Sequence, residues 1–320
     1  MRAVDAVESH RSLLKASAAL GITQPALTKN LHELEDILRL RLFDRHSRGV
    51  RPTDAGLVFV QTARRILADL RRLDDELDLL ETPGGGVLAI GALPAAAAGV
   101  LPGALSRLRA NRPGVKVRLQ EGRTEELLPL LASGEIDLIV GRLYELAAPD
   151  GFEREALWTE PVSVMARTEH PILTEPVTVE ALSRYDLVLP TVTQRVGVEI
   201  ERLLALLGID AARALRSSSY VLIREMLLGA DMLAVMPRLM MVGDLLRGAL
   251  QVVPLPIPAP DRPAGLILRR GAPPPPAARA FAEDLRAYVA EIAARGVAGA
   301  ITGGDSAFGT SNTTELSTKE

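Results

Sequence analysis

The sequence predicts two fold classes in one chain: a small, mostly α N-terminal unit ending in a hairpin, and a larger two-lobed α/β domain, joined by one long helix. Three observations carry this. Residues 12–35 read SLLKASAALGITQPALTKNLHELE, two amphipathic helices around a glycine. Residues 59–80 hold apolar side chains at alternating four- and three-residue spacing, the stripe of a helix packed along one seam. From Val87 onward, short apolar runs alternate with helical patterns, which is α/β grammar.

Composition narrows the function classes. At 320 residues the chain holds two or three compact units. Hydrophobic residues make up 48% and charged residues 24%, the balance of an ordinary soluble protein. No cysteine is present, which excludes disulfides, thiolate metal sites and a cysteine nucleophile and fits a reducing cytoplasm. The four histidines, His10, His32, His46 and His170, lack metal-ligand spacing, so neither metal nor cofactor is expected. No apolar run is long enough to span a bilayer and the N-terminus lacks a signal-like apolar stretch, so no membrane partner and a cytoplasmic location are expected. Net charge is -3, and residues 1–58 carry nine Arg and Lys against seven Asp and Glu. Any attraction for a polyanion must come from local clustering.

Taken in order, Met1 to His10 reads as the end of a first helix, with Val4 and Val7 inward. The next helix keeps Leu13, Leu14, Ala16, Ala19 and Leu20 as its apolar side, and Gly21 ends it. Thr23 is an N-cap with Pro25 in the first turn of the following helix. That helix packs Ala26, Leu27, Leu31 and Leu34 and turns Gln24, Thr28, Lys29 and His32 outward. Polar residues at the start of the second helix of such a pair match the helix-turn-helix plan. Leu42 and Phe43 then anchor a hairpin, a wing, whose expected tip is Arg45, His46, Ser47, Arg48 and Gly49, with Val50 and Arg51 returning. Arg45, Arg48 and Arg51 are placed to meet phosphates or a minor groove. The expected DNA-facing set is Thr23, Gln24, Pro25, Ala26, Thr28, Lys29 and those three arginines.

Thr53 can cap the long helix. Its stripe is Phe59, Ala63, Ile66, Leu70, Leu73, Leu77 and Leu80, and so narrow a stripe needs a partner helix, so it reads as a dimer seam. Thr82, Pro83, Gly84, Gly85 and Gly86 read as a hinge. Strands are then expected at 87–93, 115–122, 136–143, near 161–167, and at 186–190, 232–237 and 264–270. Helices are expected at 101–108, 124–133, near 179–184, at 198–207, 220–228, up to Leu246, and from Pro273–Pro276 through Phe281, Leu285, Tyr288 and Ile292. This alternation implies a parallel sheet with right-handed crossovers. The expected divisions are 1–58 for the N-terminal domain, 59–85 for helix and hinge, and 86–295 for the α/β domain. Within the last, lobe one is 86–160 with 265–295 and lobe two is 161–264. Residues 296–320, rich in Gly, Ser and Thr, read as a disordered tail.

Several of these stretches together resemble a known family. Ala16 to Leu20, the run TQPALT from Thr23, Leu31 with Leu34 and Glu35, the run RLFDR from Arg41, and Pro52 with Thr53, Ala55 and Gly56 resemble the DNA-binding domain of LysR-type transcriptional regulators. GALPAAAAGVLPGAL, EGRTEELLPLLASGEIDLIVGRL, DMLAVMPR and VVPLPIP resemble the effector domain of the sugar-responsive and protocatechuate-responsive branch. That domain is itself similar to periplasmic solute-binding proteins. The resemblance implies a DNA-binding regulator that controls transcription in response to a small metabolite held between two lobes. It also implies a dimer of dimers, an interrupted palindromic operator on double-stranded DNA, and RNA polymerase as a candidate partner. Members of the family carry more residues before the first helix, so here that helix is expected to be short.

In open α/β sheets ligands sit at the carboxyl ends of strands. The effector candidates are therefore Leu93, Pro94 and Ala95 after the first strand and Arg142 and Tyr144 after the third. On lobe two they are Thr191, Thr193 and Gln194 after DLVLP, with Ser218 and Ser219 before a helix. Many relatives place a hydroxyl residue after the first strand, where this chain has Ala95. That weakens the case for a carboxylate bound at that end. The expected effector is a small polar metabolite, a sugar or a hydroxylated acid. Two other readings are a solute-binding-like module and an enzyme without DNA binding. No phosphate-binding loop, GxSxG or dinucleotide fingerprint stands in a suitable place, and no catalytic residue is assigned. The helix-turn-helix argues against a free binding module.

Overall fold

The structure is a computed structural model and describes all residues except 47–48, 81–84, 145–149, 193–194, 256, 258–261 and 300–320. The N-terminal domain comprises α1 (Arg2–His10), α2 (Leu13–Leu20), α3 (Gln24–Leu38), β1 (Phe43–His46) and β2 (Gly49–Pro52). Gly21, at φ 66°, closes α2 in the left-handed conformation, and the Thr23 Oγ1 accepts from the Ala26 N–H at 3.4 Å to open α3. Val4, Val7, Ala16, Leu27, Leu31, Leu42, Phe43, Val50 and Val60 form the core.

Some expected faces are different. Leu14 and Ala19 face solvent, and Ser17 takes the inner place, its Oγ donating to the Leu14 carbonyl at 2.9 Å. A helix of only eight residues has one narrow inner stripe, and small residues fit where α2 and α3 approach closely. Ala26, expected to pack, is exposed, and Thr28, expected outside, is half-buried. Arg45 and His46, expected at the hairpin tip, belong to β1, opposite Val50 and Gly49. The tip at Ser47 and Arg48 lies outside the described residues.

The wing is tied to α3 by Glu35, whose Oε1 accepts from the Leu42 and Phe43 N–H groups at 2.7 and 3.2 Å. Thr53 caps α4 (Asp54–Leu80), accepting from the Gly56 N–H at 3.0 Å and donating to the Arg41 carbonyl at 2.7 Å. Gly56 is required here: a Cβ would lie 1.9 Å from the Leu42 carbonyl oxygen. Arg64 then fastens α4 to α1, donating to Asp5 and Glu8 at 2.5 Å each and to Ser9 at 3.1 Å.

The stripe of α4 is divided. Phe59 and Ala63 pack within the chain against the N-terminal domain, so intramolecular packing takes the first third of the expected seam. Ile66, Leu70, Leu73 and Leu77 are exposed. The side chain of Leu80 and the hinge residues Thr82, Pro83 and Gly84 lie outside the described residues, while Gly86 already pairs with Val115 in a strand.

Lobe one is built from β3 (Gly86–Ala92), α5 (Pro94–Ala98), α6 (Val100–Asn111), β4 (Val115–Glu121), α7 (Thr124–Ser133), β5 (Leu138–Arg142) and β6 (Phe152–Thr159). Lobe two follows with β7 (Val162–Arg167), α8 (Val179–Leu182), β8 (Asp186–Pro190), α9 (Arg195–Leu206), β9 (Leu215–Ser217), α10 (Tyr220–Gly229), β10 (Met232–Pro237), α11 (Val242–Arg247) and β11 (Leu250–Val252). The chain returns to lobe one in β12 (Pro263–Arg269) and α12 (Pro276–Ala294).

Each lobe has one five-stranded sheet, in the orders β4-β3-β5-β12-β6 and β11-β7-β10-β8-β9. Both are mixed rather than parallel. β3, β4 and β5 are parallel, but β12 runs antiparallel to β5 and β6; in lobe two, β7 runs antiparallel to β10 and β11. The reason is topological: the strands that carry the chain between lobes must join each sheet in the opposite direction. β6, β9 and β11 are absent from the sequence expectations. β6 is an edge strand whose Glu153, Arg154 and Glu155 read as loop composition.

Cores separate with the lobes. Leu88, Ile90, Trp158, Leu266, Phe281 and Leu285 anchor one, and Val164, Val188, Ile200, Ile223 and Val235 the other. The expected tail does not begin at 296. Val297 and Ala298 are buried, and Gly299 bridges Thr159. Beyond 299 the tail lies outside the described residues.

Candidate functional site

The first site is the outer surface of α3. Thr23, Gln24, Pro25, Ala26 and Lys29 are all exposed at or near its N-terminus. The N-terminal N–H groups of a helix present partial positive charge to phosphates. Lys29 sits 3.7 Å from Glu33, and both are well exposed, so the pair holds the lysine weakly. Arg51 is exposed on β2 opposite Asp44 of β1. Arg45 is on β1 with no description of its side chain, and Arg48 lies outside the described residues.

The second site is the cleft between the lobes, which encloses about 240 Å³. That is room for about eight waters at their liquid volume, the scale of a small metabolite. Leu93, Pro94, Ala95, Arg142 and Tyr144, five of the expected residues, line it. Thr191 is half-buried at the end of β8, and Ser218 and Ser219 are exposed near α10, where Ser219 caps the helix; none of the three lines the cleft. Thr193 and Gln194 lie outside the described residues.

The residues that sequence reasoning missed are the charged ones on the cleft floor. Glu160 and Arg262 stand where the two connecting strands cross between lobes, each just before a proline, and the Glu160 N–H donates to the Arg262 carbonyl at 2.8 Å. A charged residue followed by proline at both lobe boundaries is the signal that could have found them. Arg142 donates to Glu199 of α9 at 2.6 Å, and Arg262 donates to the same carboxylate oxygen. Arg195, also on α9, pairs with Glu125 of α7 at 2.9 Å. Tyr144 lies between two guanidinium groups, Arg195 at 4.5 Å and Arg142 at 5.1 Å from its ring centre.

Burial sets the charge states. Glu160 is fully enclosed, and desolvation raises its carboxyl above the usual range against the pull of Arg262 and Arg142. Desolvation, then the neighbouring Arg142, lowers Arg262. Tyr220 is pushed up to about 12 by burial, so it presents a neutral hydroxyl. The Nε atoms of Arg142 and Arg262 are buried without a hydrogen-bond partner among the described residues, while the Glu160 carboxyl has the buried Trp158 indole N–H beside it. Such atoms are met by an ordered water or by a polar group of a ligand. A roomier hollow of about 450 Å³ lies at the other end of the lobe-one sheet, beside Gly85, Arg118 and Pro275. It has no unpartnered buried side-chain atom among the described residues, so the chemistry favours the cleft. Among the described residues no group of three acidic or histidine side chains could hold a metal, and no helix is long and apolar enough to cross a membrane.

Comparison with known proteins agrees with both halves. Residues 1–57 match the family described as "Bacterial regulatory helix-turn-helix protein, lysR family", and residues 82–290 match "LysR substrate binding domain". The chain is 30% identical over 265 residues to the HTH-type transcriptional regulator PcaQ of Agrobacterium fabrum, covering 82% of this chain and 85% of that one. It is 31% identical over 284 residues to the HTH-type transcriptional regulator GalR of Pseudomonas putida, covering 88% and 72%. Its fold is similar to that of a full-length OxyR variant from Pseudomonas aeruginosa, with TM-score 0.61, 23% identity and coverage of 89% and 93%. The LysR family regulator CbnR has TM-score 0.58, 19% identity and coverage of 90% and 97%. The chain belongs to the LysR family: it is a DNA-binding transcriptional regulator with an effector-binding domain.

Proposed function

We propose that this regulator answers a small polar metabolite held in the interlobe cleft, and that it does no catalysis of its own. The observation that carries this reading is the cleft floor, where the buried Nε–H groups of Arg142 and Arg262 have no partner among the described residues, beside a space of metabolite size. Gln24 and Lys29 face the major groove, with Thr23, Pro25, Ala26 and Thr28 setting the approach of α3. Arg45, Arg48 and Arg51 hold phosphates. Two copies join along Ile66, Leu70, Leu73 and Leu77, whose exposure on a long helix supports a seam between chains. Two such pairs grip an interrupted palindrome in the cytoplasm and act on RNA polymerase. The proposed divisions are 1–58, 59–85 and 86–295, which the family matches at 1–57 and 82–290 support, with the lobes parting near Glu160 and Arg262.

The test is binding to the DNA beside its own gene, followed by fluorescence anisotropy against salt, with and without metabolite fractions. Operator affinity changes with a fraction, and crosslinking places the active compound between the lobes. Gln24→Ala loses ~1–3 kcal/mol at one base position, whereas Arg51→Ala weakens all sequences alike and flattens the salt dependence. Equal effects of the two substitutions on operator and random DNA would remove α3 from the groove.

A further inference from the structure

Glu199 occupies an unusual place. It belongs to α9 of lobe two, but its carboxylate is held by Arg142 at the end of β5 and Arg262 on the crossing strand. We propose that Glu199 is an internal stand-in for the carboxylate of an acidic effector: a ligand carboxylate replaces it between Arg142 and Arg262, and its departure frees α9 from lobe one. The inference rests on the cleft being the effector site and names what that site selects.

The hydrogen-bond count supports a substitute rather than a finished ion pair. One oxygen of Glu199 serves both guanidiniums, while each arginine keeps a buried Nε–H with no partner among the described residues. A free carboxylate can approach a guanidinium with two parallel bonds and satisfy donors that Glu199 leaves unused. Exposure decides which partner moves. The Arg262 side chain is 4% exposed, that of Glu199 29%. Glu199 can swing into water, and a buried guanidinium cannot.

Charge requires an anion once Glu199 leaves. Among the described residues, Arg142 and Arg262 would then keep Glu160, which burial biases toward its neutral form, and Glu125 at the cleft wall, which is already paired with Arg195. Two enclosed cations against a neutral acid are not stable without a replacement. A neutral sugar brings none. Of a sugar and a hydroxylated acid, the seat therefore selects the acid.

The same exchange couples the ligand to the lobes. Among the described residues, the polar links from α9 to lobe one are those of Glu199 and of Arg195, one helical turn earlier, which pairs with Glu125 and stands over the Tyr144 ring. The Arg195 pair is open to solvent on both sides and holds weakly alone. A ligand that binds only when Glu199 is out has different affinities for the two arrangements, which is what shifts a population.

Glu199→Ala keeps Cβ and leaves a cavity with the outline of an acetate, so acetate and its uncharged counterpart acetamide are the probes. Acetate is expected to raise the melting temperature of Glu199→Ala more than that of wild type, with acetamide inert on both. Adding Arg142→Met should abolish the response. Glu199→Gln, which keeps the shape, serves if the alanine variant folds poorly, and should bind a cleft effector about tenfold tighter because nothing charged competes. Equal action of the two probes, or an equal shift in wild type, overturns the stand-in. An effector located in the cleft whose neutral analogue binds as well also overturns it while leaving the cleft reading intact. Acetate rescue with the effector crosslinked elsewhere sustains the anion seat and removes the cleft reading.

Discussion

The two sites treat charge in opposite ways. On α3 the polar groups stand in water, Lys29 loosely paired with Glu33 and Gln24 exposed. On the cleft floor Glu160 and Arg262 are buried and Arg142 and Glu199 half-buried, and Glu199 accepts from both arginines. An exposed charge costs little to keep and little to remove, and its value appears when a polyanion arrives. A buried charge must be compensated at all times, so changing it alters the protein before any ligand is present.

The largest expected effect tests the buried side. Arg262→Met removes one cation and leaves the Glu199 and Glu160 carboxyls facing Arg142 alone. A cost of about 3 kcal/mol is expected in urea unfolding, the low end for breaking a buried pair because Glu199 is partly open to water. A loss no larger than that of a surface substitution would place the floor in water and erase the contrast.

The second effect is smaller and depends on pH. The Glu160 carboxyl in the folded protein lies above its unfolded value, so the native state holds a proton that the unfolded state has released. Its stabilising contribution is complete below the unfolded pKa and is lost as pH rises through the folded one. Arg262, Arg142 and Glu199 face it and set how far the shift goes. Relative to wild type, Glu160→Gln should therefore gain stability as pH rises from the acid range to neutral, read from thermal melts across pH. Parallel curves for the two proteins would mean that Glu160 titrates as if exposed.

The smallest effect belongs to the open side. Lys29→Ala should change unfolding free energy by less than about 0.5 kcal/mol, as for an exposed i,i+4 pair, while weakening DNA binding. A clear loss of stability would show that the outer face of α3 is held by more than Glu33.

The same contrast explains what the sequence could and could not reveal. Gly21, Thr23 and Pro25 define a turn and a cap within five residues, and local chemistry of that kind is readable in order. The long helix was readable from its repeat, but not which third of the stripe its own domain would cover; that depends on Arg64 meeting Asp5 and Glu8, distant in sequence. Strand alternation gave away the α/β class and hid the antiparallel β12, because direction is set by the crossings. Arg142 and Tyr144 were found at a strand end. Glu160, Glu199 and Arg262 come from three separate segments and meet only when both lobes have folded. The argument from Ala95 against a bound carboxylate considered only the loop after β3; the cations lie elsewhere on the floor.

The clamp of Arg64 on α1 has a mechanical side. α4 is 27 residues of continuous helix, about 40 Å from end to end. Gly56 lets its base sit directly on the Leu42 backbone, and Arg64 bolts it there with three side-chain bonds. A stiff rod fixed at one end works as a lever: a tilt of about 5° at the far end displaces that tip by about 3 Å relative to the fixed domain. A turn imposed on α4 would therefore carry the whole winged unit with it, α3 included, because Gly56 and Arg64 fix the base of the rod to that unit.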